Sequence, residues 1–442
     1  MKHEDIAQYL LKDLKRKGAD DVIVQLSSST NDIVKFSNNK ISTTKDWSTT
    51  MMSVFVTKDK KIMATSLKTF TEKAAADLAT RTLQGLKQLQ PNNEYFGIAQ
   101  GPFKYKKLQE YYDPKVKDMD IEMIDLVKQS LDITKKKVKR AAGILEKNDV
   151  ENYLLTSNDI EVRENGSWLY FSIRALVNQN ASGHQTAVSR IKNKLNVIET
   201  AARAAEIAHL ANRPRKRISG TFDVIFEPLA FANIIERIGE GASIFSVESG
   251  LSPLKEKLGM QIASPLVTIH DDGTVPNGYA STSFDAEGSP TQKNTLVKNG
   301  ILKTYLHNTS TAYRYKTKST GNAGLIAPDP HNIVMEPGTQ TKDAIFSSVK
   351  NGLYITNVWY TRFQNYSTGD FSTIPRDGAF VIKNGEIKDA LKDIRISENL
   401  LKVMQNVVMV GKEMRQIKSW EVETPCILPY VLVKNVQITK PE

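Results

Sequence analysis

The feature that most constrains the fold is a set of Asn-Gly dipeptides in the second half of the chain, each beside apolar or alternating residues. They are Asn299-Gly300, Asn351-Gly352 and Asn384-Gly385. Asn-Gly accepts the positive φ angles of a tight hairpin turn. Residues 295–306 and 379–387 carry strand-like residues on both sides of their dipeptides, which predicts two hairpins. We therefore expect a large antiparallel β-rich or barrel-like domain over residues 219–442.

The N-terminal part of the chain predicts a smaller helix-plus-antiparallel-sheet unit. Apolar residues at helical spacing precede Gly18, which is placed to end a first helix; they are Ile6, Leu10, Leu11 and Leu14. Short β-branched segments then predict a meander with strands at residues 22–26, 33–36, 51–56 and 61–64. Thr69 and Glu72 make a capping box ahead of a second helix. Helices on a small sheet indicate an α+β domain, assigned to residues 1–100.

Residues 101–218 predict a mixed central domain. Helical periodicity covers residues 121–145, and a second, Ala-rich helix is predicted over residues 195–211. Between them, turn residues at 157–159 and at Asn165-Gly166 separate predicted strands at residues 153–156, 161–163 and 168–177. A basic cluster at residues 213–217 marks the boundary with the last domain. The whole chain is therefore predicted to be an α+β protein of three domains.

Composition restricts the compartment and the partners. The chain has 442 residues, a single cysteine and no apolar run near the roughly 20 residues that span a bilayer, so we expect no membrane anchor. The N-terminus lacks an export signal, and we expect a cytoplasmic protein. The formal charge of +11 permits acidic partners. The basic cluster at residues 213–217 has no interleaved aromatic residues, so it favours a solvated linker over a nucleic-acid site.

A series of short blocks runs along the chain in a definite order. One block lies in the central region, at residues 94–99. The blocks of the last domain are residues 257–259, 271–274, 284–291, 299–306, 311–312, 319–323, 352–354, 368–372 and 383–387. Each block alone could be an ordinary turn, but the ordered series is specific, and its order and spacing resemble those of the TldD/PmbA family, in which two related proteins pair to make one peptidase. The block at residues 94–99 is similar to the stretch that introduces the family's central domain.

The active member of this family places His-Glu-x-x-x-His on a helix and adds a cysteine ligand from a Cys-Gly-Lys block. Zinc hydrolysis requires imidazole or thiolate ligands, an open position for water and a carboxylate that accepts the proton. The corresponding helix here covers residues 229–241, and the motif positions are Ile235, Glu236 and Glu240. Both imidazoles are replaced, and the six histidines of the chain are far apart in sequence. The resemblance thus implies a degenerate zinc motif whose surviving glutamate, Glu236, is the candidate catalytic residue.

The same residues also have a structural interpretation. An apolar stripe on the helix, formed by Phe231, Ile234, Ile235 and Ile238, leaves Glu236 and Glu240 on the other side, where we expect exposed carboxylates. Cys426 lacks the surrounding glycines and lysine of the family's ligand, and we interpret it as a core thiol. Asp271-Asp272-Gly273 could suggest a cation site, but a turn is the simpler interpretation.

The resemblance implies a non-catalytic TldE/PmbA-like subunit of a heterodimeric TldD/TldE metallopeptidase that processes unfolded peptides. On this hypothesis the chain itself binds no metal or other cofactor, and zinc is expected in a TldD-like partner; a homodimer is possible without that partner. One alternative is a self-sufficient metallopeptidase with non-standard ligands such as Glu236, Glu240 and a distant histidine. Another is a binding protein associated with DNA or gyrase, suggested by the net charge and by a traditional description of the family.

Overall fold

The computed structural model describes residues 2–213 and 215–440, and it confirms the α+β class. The first half is built on one six-stranded antiparallel sheet with strand order β3-β2-β1-β4-β5-β6. Its strands are β1 (Val22–Ser37), β2 (Lys40–Lys58), β3 (Lys61–Leu67), β4 (Arg140–Thr156), β5 (Glu161–Asn178) and β6 (Ala181–Ser189). Because β1 pairs with β4, the predicted first and central domains contribute to the same sheet.

Four helices cover the apolar parts of this sheet: α1 (His3–Arg16), α2 (Glu72–Lys87), α3 (Asp120–Lys135) and α4 (Val197–Leu210). The apolar residues of α1 and α2 pack on one end of the sheet, and those of α3 and α4 pack on the other. The first helix and the Ala-rich helix agree with the predictions. The cap of α2 does not, because Thr71 rather than Thr69 accepts a hydrogen bond from the Ala74 N–H.

Three predictions for the long strands are wrong. Residues 22–26 and 33–36 belong to one continuous strand, because β2 and β4 pair with its polar middle from both sides. The helix predicted over residues 121–145 ends at Lys135. Ala141 and Leu145 are four positions apart, a spacing that fits one face of a strand as well as one face of a helix, and both are buried on β4. Asn165-Gly166 is not a turn but lies inside β5, opposite β4.

The last domain contains two sheets. The larger has the path β14-β15-β18-β22-β8-β13-β16-β17-β7, with β19 attached to β22, and the smaller has the path β11-β10-β9-β12-β21-β20. The strands are β7 (Arg215–Lys216), β8 (Gly220–Phe226), β9 (Ile269–Asp272), β10 (Lys293–Lys298), β11 (Ile301–Leu302), β12 (Ile333–Met335), β13 (Asn351–Ile355), β14 (Val358–Asn365), β15 (Asp370–Pro375), β16 (Ala379–Lys383), β17 (Glu386–Leu391), β18 (Arg395–Asn399), β19 (Val407–Val410), β20 (Arg415–Ser419), β21 (Val422–Leu428) and β22 (Val431–Thr439). The helices are α5 (Pro228–Ala242), α6 (Ile244–Glu248), α7 (Thr309–Arg314), α8 (Lys342–Ser348) and α9 (Leu400–Gln405).

Both predicted Asn-Gly hairpins are confirmed. Asn299 and Gly300 have φ angles of 49° and 81° between β10 and β11, and Asn384 and Gly385 have 50° and 79° between β16 and β17. Positive φ at both central residues is the type I′ geometry that matches the twist of paired strands. The third dipeptide, Asn351-Gly352, instead begins β13.

The basic cluster predicted to be a solvated linker contributes a short strand. Its residues 215 and 216 form β7, which pairs with β17 at the edge of the larger sheet. Lys216 lies 2.5 Å from Asp389, and Arg217 lies 2.6 Å from Asp393, so these cations contact acidic residues of this chain. Pro214 lies outside the described residues. No helix in the described part of the chain is long and apolar enough to cross a membrane.

Candidate functional site

The candidate site is built on α5, the helix for which the family resemblance predicts a degenerate zinc motif. Pro228 stands at the first position of the helix, where its missing N–H costs no intrahelical hydrogen bond. The predicted apolar stripe is buried. The helix also packs against strands of both sheets, namely β8 and β14 of the larger sheet and β12, β20 and β21 of the smaller sheet. A helix enclosed in this way has little solvent-exposed face.

Glu236 does not lie on an exposed surface, and this part of the prediction is wrong. The residue is 0% exposed, because β21 covers the side of α5 opposite the apolar stripe. Its Oε2 accepts a hydrogen bond of 3.2 Å from the Thr424 N–H, whereas its Oε1 has no hydrogen-bond partner among the described residues. Burial raises the pKa of Glu236 to about 8, against the opposing effect of Arg237. The carboxyl is therefore mostly protonated at neutral pH.

Arg237 supplies the positive charge at this end of the helix. Its Nη1 donates a 2.6 Å hydrogen bond to Glu240 Oε2, and its Nη2 lies 3.2 Å from Glu236 Oε1. Glu240 is the more accessible carboxylate, with a side chain that is 33% exposed. Burial raises the pKa of Glu240, and Arg237 partly offsets this effect. The guanidinium thus contacts both carboxyl groups that were assigned to motif positions from the sequence.

Cys426 is a core thiol, as predicted, but its position relative to α5 was not foreseen. It lies on β21, with Sγ 3.8 Å from the Ala232 carbonyl oxygen of α5 and 3.3 Å from the Thr424 carbonyl oxygen. Burial and the nearby Glu236 raise the pKa of this thiol well above its usual value. Cys426 and Glu236 are 190 positions apart in sequence, so no local pattern could have brought them together.

The residues around α5 do not fit a zinc ion. Ile235 has no donor atom, the Cys426 thiol is held in its protonated form, and the Arg237 cation contacts both glutamates. Three of the six histidines each form a hydrogen bond with a different residue: His270 with Glu336, His307 with Thr311, and His184 with Asn357. Within residues 2–213 and 215–440, no group of three or more His, Cys, Asp or Glu side chains is arranged to hold a metal.

A small cleft of about 320 Å³ lies beside this site, between the central segment and the last domain. Lys418 and Glu423 line its wall near α5, and Trp168 and Arg190 line the opposite wall. Lys418 Nζ donates to the carbonyl oxygens of Val422 and Glu423, and burial lowers its pKa. The cleft beside α5 is therefore lined by both apolar and polar side chains.

Three of the recognised sequence blocks meet through buried hydrogen bonds. Asp271 on β9 accepts from the Asn322 amide and from the His331 N–H, each at 2.6 Å. Asp285 accepts from three backbone N–H groups, those of Glu287, Ser289 and Ala323. Asp272 closes the predicted turn, because its Oδ1 accepts a hydrogen bond from the Thr274 N–H. The acidic residues of these blocks therefore organise loops, as the turn interpretation of Asp271-Asp272-Gly273 predicts.

Comparison with solved structures gives the same fold over the whole chain. A protein of Thermotoga maritima described as a candidate modulator of a DNA gyrase superposes with a TM-score of 0.87 at 26% identity, covering 99% of this chain and 100% of that one. The TldE structure from Thermococcus kodakarensis superposes with a TM-score of 0.85 at 21% identity, covering 99% of each chain. At that identity, the second comparison shows the fold alone.

Sequence comparison identifies the last domain. A Buchnera aphidicola (subsp. Acyrthosiphon pisum) metalloprotease TldD homolog is 34% identical over 220 residues, or 48% of this chain and 45% of the relative. A Haemophilus influenzae metalloprotease PmbA homolog is 31% identical over 201 residues, or 45% and 43% of the two chains. The chain thus spans about half the length of the curated relatives it matches. The model of the PmbA/TldA metallopeptidase C-terminal domain matches residues 219–440, half of the chain, and the chain therefore belongs to the PmbA/TldD metallopeptidase family.

Proposed function

We propose that this chain is a TldE/PmbA-like, non-catalytic subunit that pairs with a TldD-like chain to process unfolded peptides. The observation that carries the proposal is the Arg237 guanidinium held between Glu236 and Glu240, where the active family member has the second and last residues of its zinc motif. The partner would supply the zinc ion and its ligands. The active unit would then be a heterodimer.

Two requirements for zinc hydrolysis, an ionised base and a ligand at the first motif position, are missing at α5. A general base must be ionised and must reach a metal-bound water, but Glu236 is buried and its pKa is raised to about 8. The position of the first histidine is the buried, apolar Ile235. These features support a role in shaping the complex rather than in the chemical step.

The exposed edge of the larger sheet suggests how the chain could contribute to peptide binding. Among the described strands, β14 pairs on one side only, with β15, and it packs beside α5. Tyr360 and Trp420 near this edge are 47% and 54% exposed, and the Trp420 ring lies 4.6 Å from that of Trp359. A free strand edge can hold an extended peptide through backbone hydrogen bonds, with aromatic side chains adding contact area.

The proposal is tested by assaying the purified chain with and without a TldD-like partner on an unstructured peptide. We expect cleavage by the pair only, with zinc bound in proportion to the partner. Glu236→Gln in this chain should leave the activity of the pair unchanged, whereas Trp420→Ala should raise KM for the peptide. Trp47→Ala, at an exposed tryptophan on β2, is the matched control. Chelator-sensitive cleavage by the chain alone would refute the proposal.

A further inference from the structure

A second and larger cleft separates the central segment from the last domain, away from α5. Its volume is about 720 Å³, within the roughly 300–1,000 Å³ typical of small-molecule sites. Residues of β6 and α4 form one wall, and residues of β20 and α8 form the other. None of the described residues of α5 lines it. This cleft is therefore distinct from the degenerate zinc motif.

Two arginines on the walls of the cleft share one buried carboxylate. Arg203 Nη2 lies 3.2 Å from Glu227 Oε2, and Arg415 Nη1 lies 3.4 Å from Glu227 Oε1. Burial alone would raise the pKa of Glu227, but Arg203 and Arg415 hold it below its usual value. Arg203 also pairs with Glu206 at the half-exposed rim, at 2.8 Å. Arg415 has no second carboxylate within ion-pair distance among the described residues.

Lys342 is a third cation of the cleft, and it forms no ion pair with a described carboxylate. Its ammonium lies 5.7 Å from the centre of the Phe346 ring and 5.4 Å from that of Tyr430. In the described part of the chain, no carboxylate lies within ion-pair distance of it. Burial and the nearby Arg203 lower the pKa of Lys342. Three cations thus border a region whose paired carboxylates are Glu227 and Glu206. The lining of the cleft also includes two further lysines and two further carboxylates, namely Lys137, Lys194, Glu199 and Glu413.

The cleft also contains a buried hydroxyl with no partner. Thr186 on β6 lines the cleft and is 1% exposed, and its Oγ1 makes no hydrogen bond to any described residue. Buried hydroxyl groups in native proteins are normally hydrogen-bonded, so the Thr186 hydroxyl is a donor that a bound molecule can use. An acceptor that also carries negative charge would satisfy the hydroxyl and the cations together.

We propose that this cleft binds a small molecule through an oxyanion group, a carboxylate or a phosphate. The oxyanion contacts Lys342 and Arg415, and it accepts a hydrogen bond from the Thr186 hydroxyl. Charge-assisted hydrogen bonds to carboxylate or phosphate are among the stronger polar contacts in proteins. Arg203 stays engaged with Glu227 and Glu206 and contributes its charge. The inference is independent of the proposed role in peptide processing.

Calorimetric titration of the full chain at constant ionic strength tests the proposal. The probes are inorganic phosphate, N-acetylglycine as the carboxylate, and N-acetylglycinamide as its uncharged analogue. We expect saturable binding of phosphate, of N-acetylglycine or of both, and no binding of the amide. Whichever anion binds identifies the source of the oxyanion. A wild-type chain that binds neither anion, or that binds the amide equally well, would overturn the proposal.

Variants locate the binding to the cleft. Lys342→Gln should weaken the affinity for the bound anion by about tenfold, because it removes a charge that contacts the ligand directly. Lys318→Gln, at an exposed lysine elsewhere, is the matched control and should leave the affinity unchanged. Thr186→Val, which removes only the hydroxyl, provides a second test if Lys342→Gln does not fold. Equal affinities in wild type and the cleft variants would place the anion elsewhere and refute the assignment.

Discussion

Replacement of Glu236 by glutamine should change how the stability of this chain depends on pH. The folded pKa of Glu236 is about 8, above the ordinary value of 4.5. Between these two pH values the unfolded chain loses the proton of this carboxyl while the folded chain retains it. The folded state therefore binds more protons, and the free energy of unfolding falls as the pH rises through this window. Below pH 4.5 both states are protonated and this contribution is fully present.

The size of the effect follows from the width of that window. Each pH unit between the two pKa values lowers the free energy of unfolding by about 1.4 kcal/mol. Because of this one group, the free energy of unfolding falls by up to about 5 kcal/mol between pH 4.5 and pH 8. Glutamine cannot ionise, and Glu236→Gln should remove this part of the slope. The other carboxyls with raised pKa values, such as Glu287, are present in both chains and largely cancel in the comparison.

The assay is urea unfolding followed by tryptophan fluorescence at pH 5, 6, 7 and 8. We expect the variant to gain stability relative to wild type as the pH rises. The control is Glu386→Gln, at an exposed carboxyl whose pKa is lowered by Lys388 and which stays ionised in both states over this range. Parallel pH profiles for wild type and Glu236→Gln would refute the reasoning, because they would mean that the buried carboxyl is ionised in the folded chain.

Three further outcomes are expected. Arg190→Met should lower the free energy of unfolding by about 3 kcal/mol or more, measured by urea unfolding, because the buried guanidinium donates to three carbonyl oxygens of residues 278–281; a change below 1 kcal/mol would contradict this role. Cys426 should react with a thiol reagent only after unfolding, since burial raises its pKa; rapid reaction of the native chain would disprove this. Gly300→Ala should lower the thermal unfolding midpoint more than Gly385→Ala. A Cβ at residue 300 would lie 2.2 Å from a backbone oxygen, whereas a Cβ at residue 385 would lie 3.0 Å from its nearest neighbouring atom; equal losses of the midpoint would contradict this comparison.

Local sequence was sufficient wherever neighbouring residues decide the structure. The turn geometry of Asn299-Gly300 and Asn384-Gly385 depends on the φ angles of two adjacent residues, and both hairpins form as predicted. The apolar stripe of α5 follows from the helical period, and it is buried as predicted. Such features require no knowledge of the remaining chain.

Long-range pairing explains the errors in the first half of the chain. The middle of β1 is rich in serine and threonine and has no apolar alternation, yet it is a strand because β2 and β4 supply hydrogen bonds on both sides. Asn165 and Gly166 lie inside β5 because β4 pairs with them, at Glu151 and Val150. These pairing strands cannot be identified from residues close in sequence.

The sequence by itself determined the family and the α+β class, and through the family resemblance it predicts the loss of both histidines from the zinc motif. Only the tertiary structure decided the environment of the glutamate that remains. Helical periodicity shows which face of α5 is apolar, but it cannot show that β21 covers the opposite face, and this cover makes Glu236 a buried group with a raised pKa. The same packing brings Cys426 beside α5. A residue's burial and electrostatics depend on all the elements packed around it, and these elements come from distant parts of the chain.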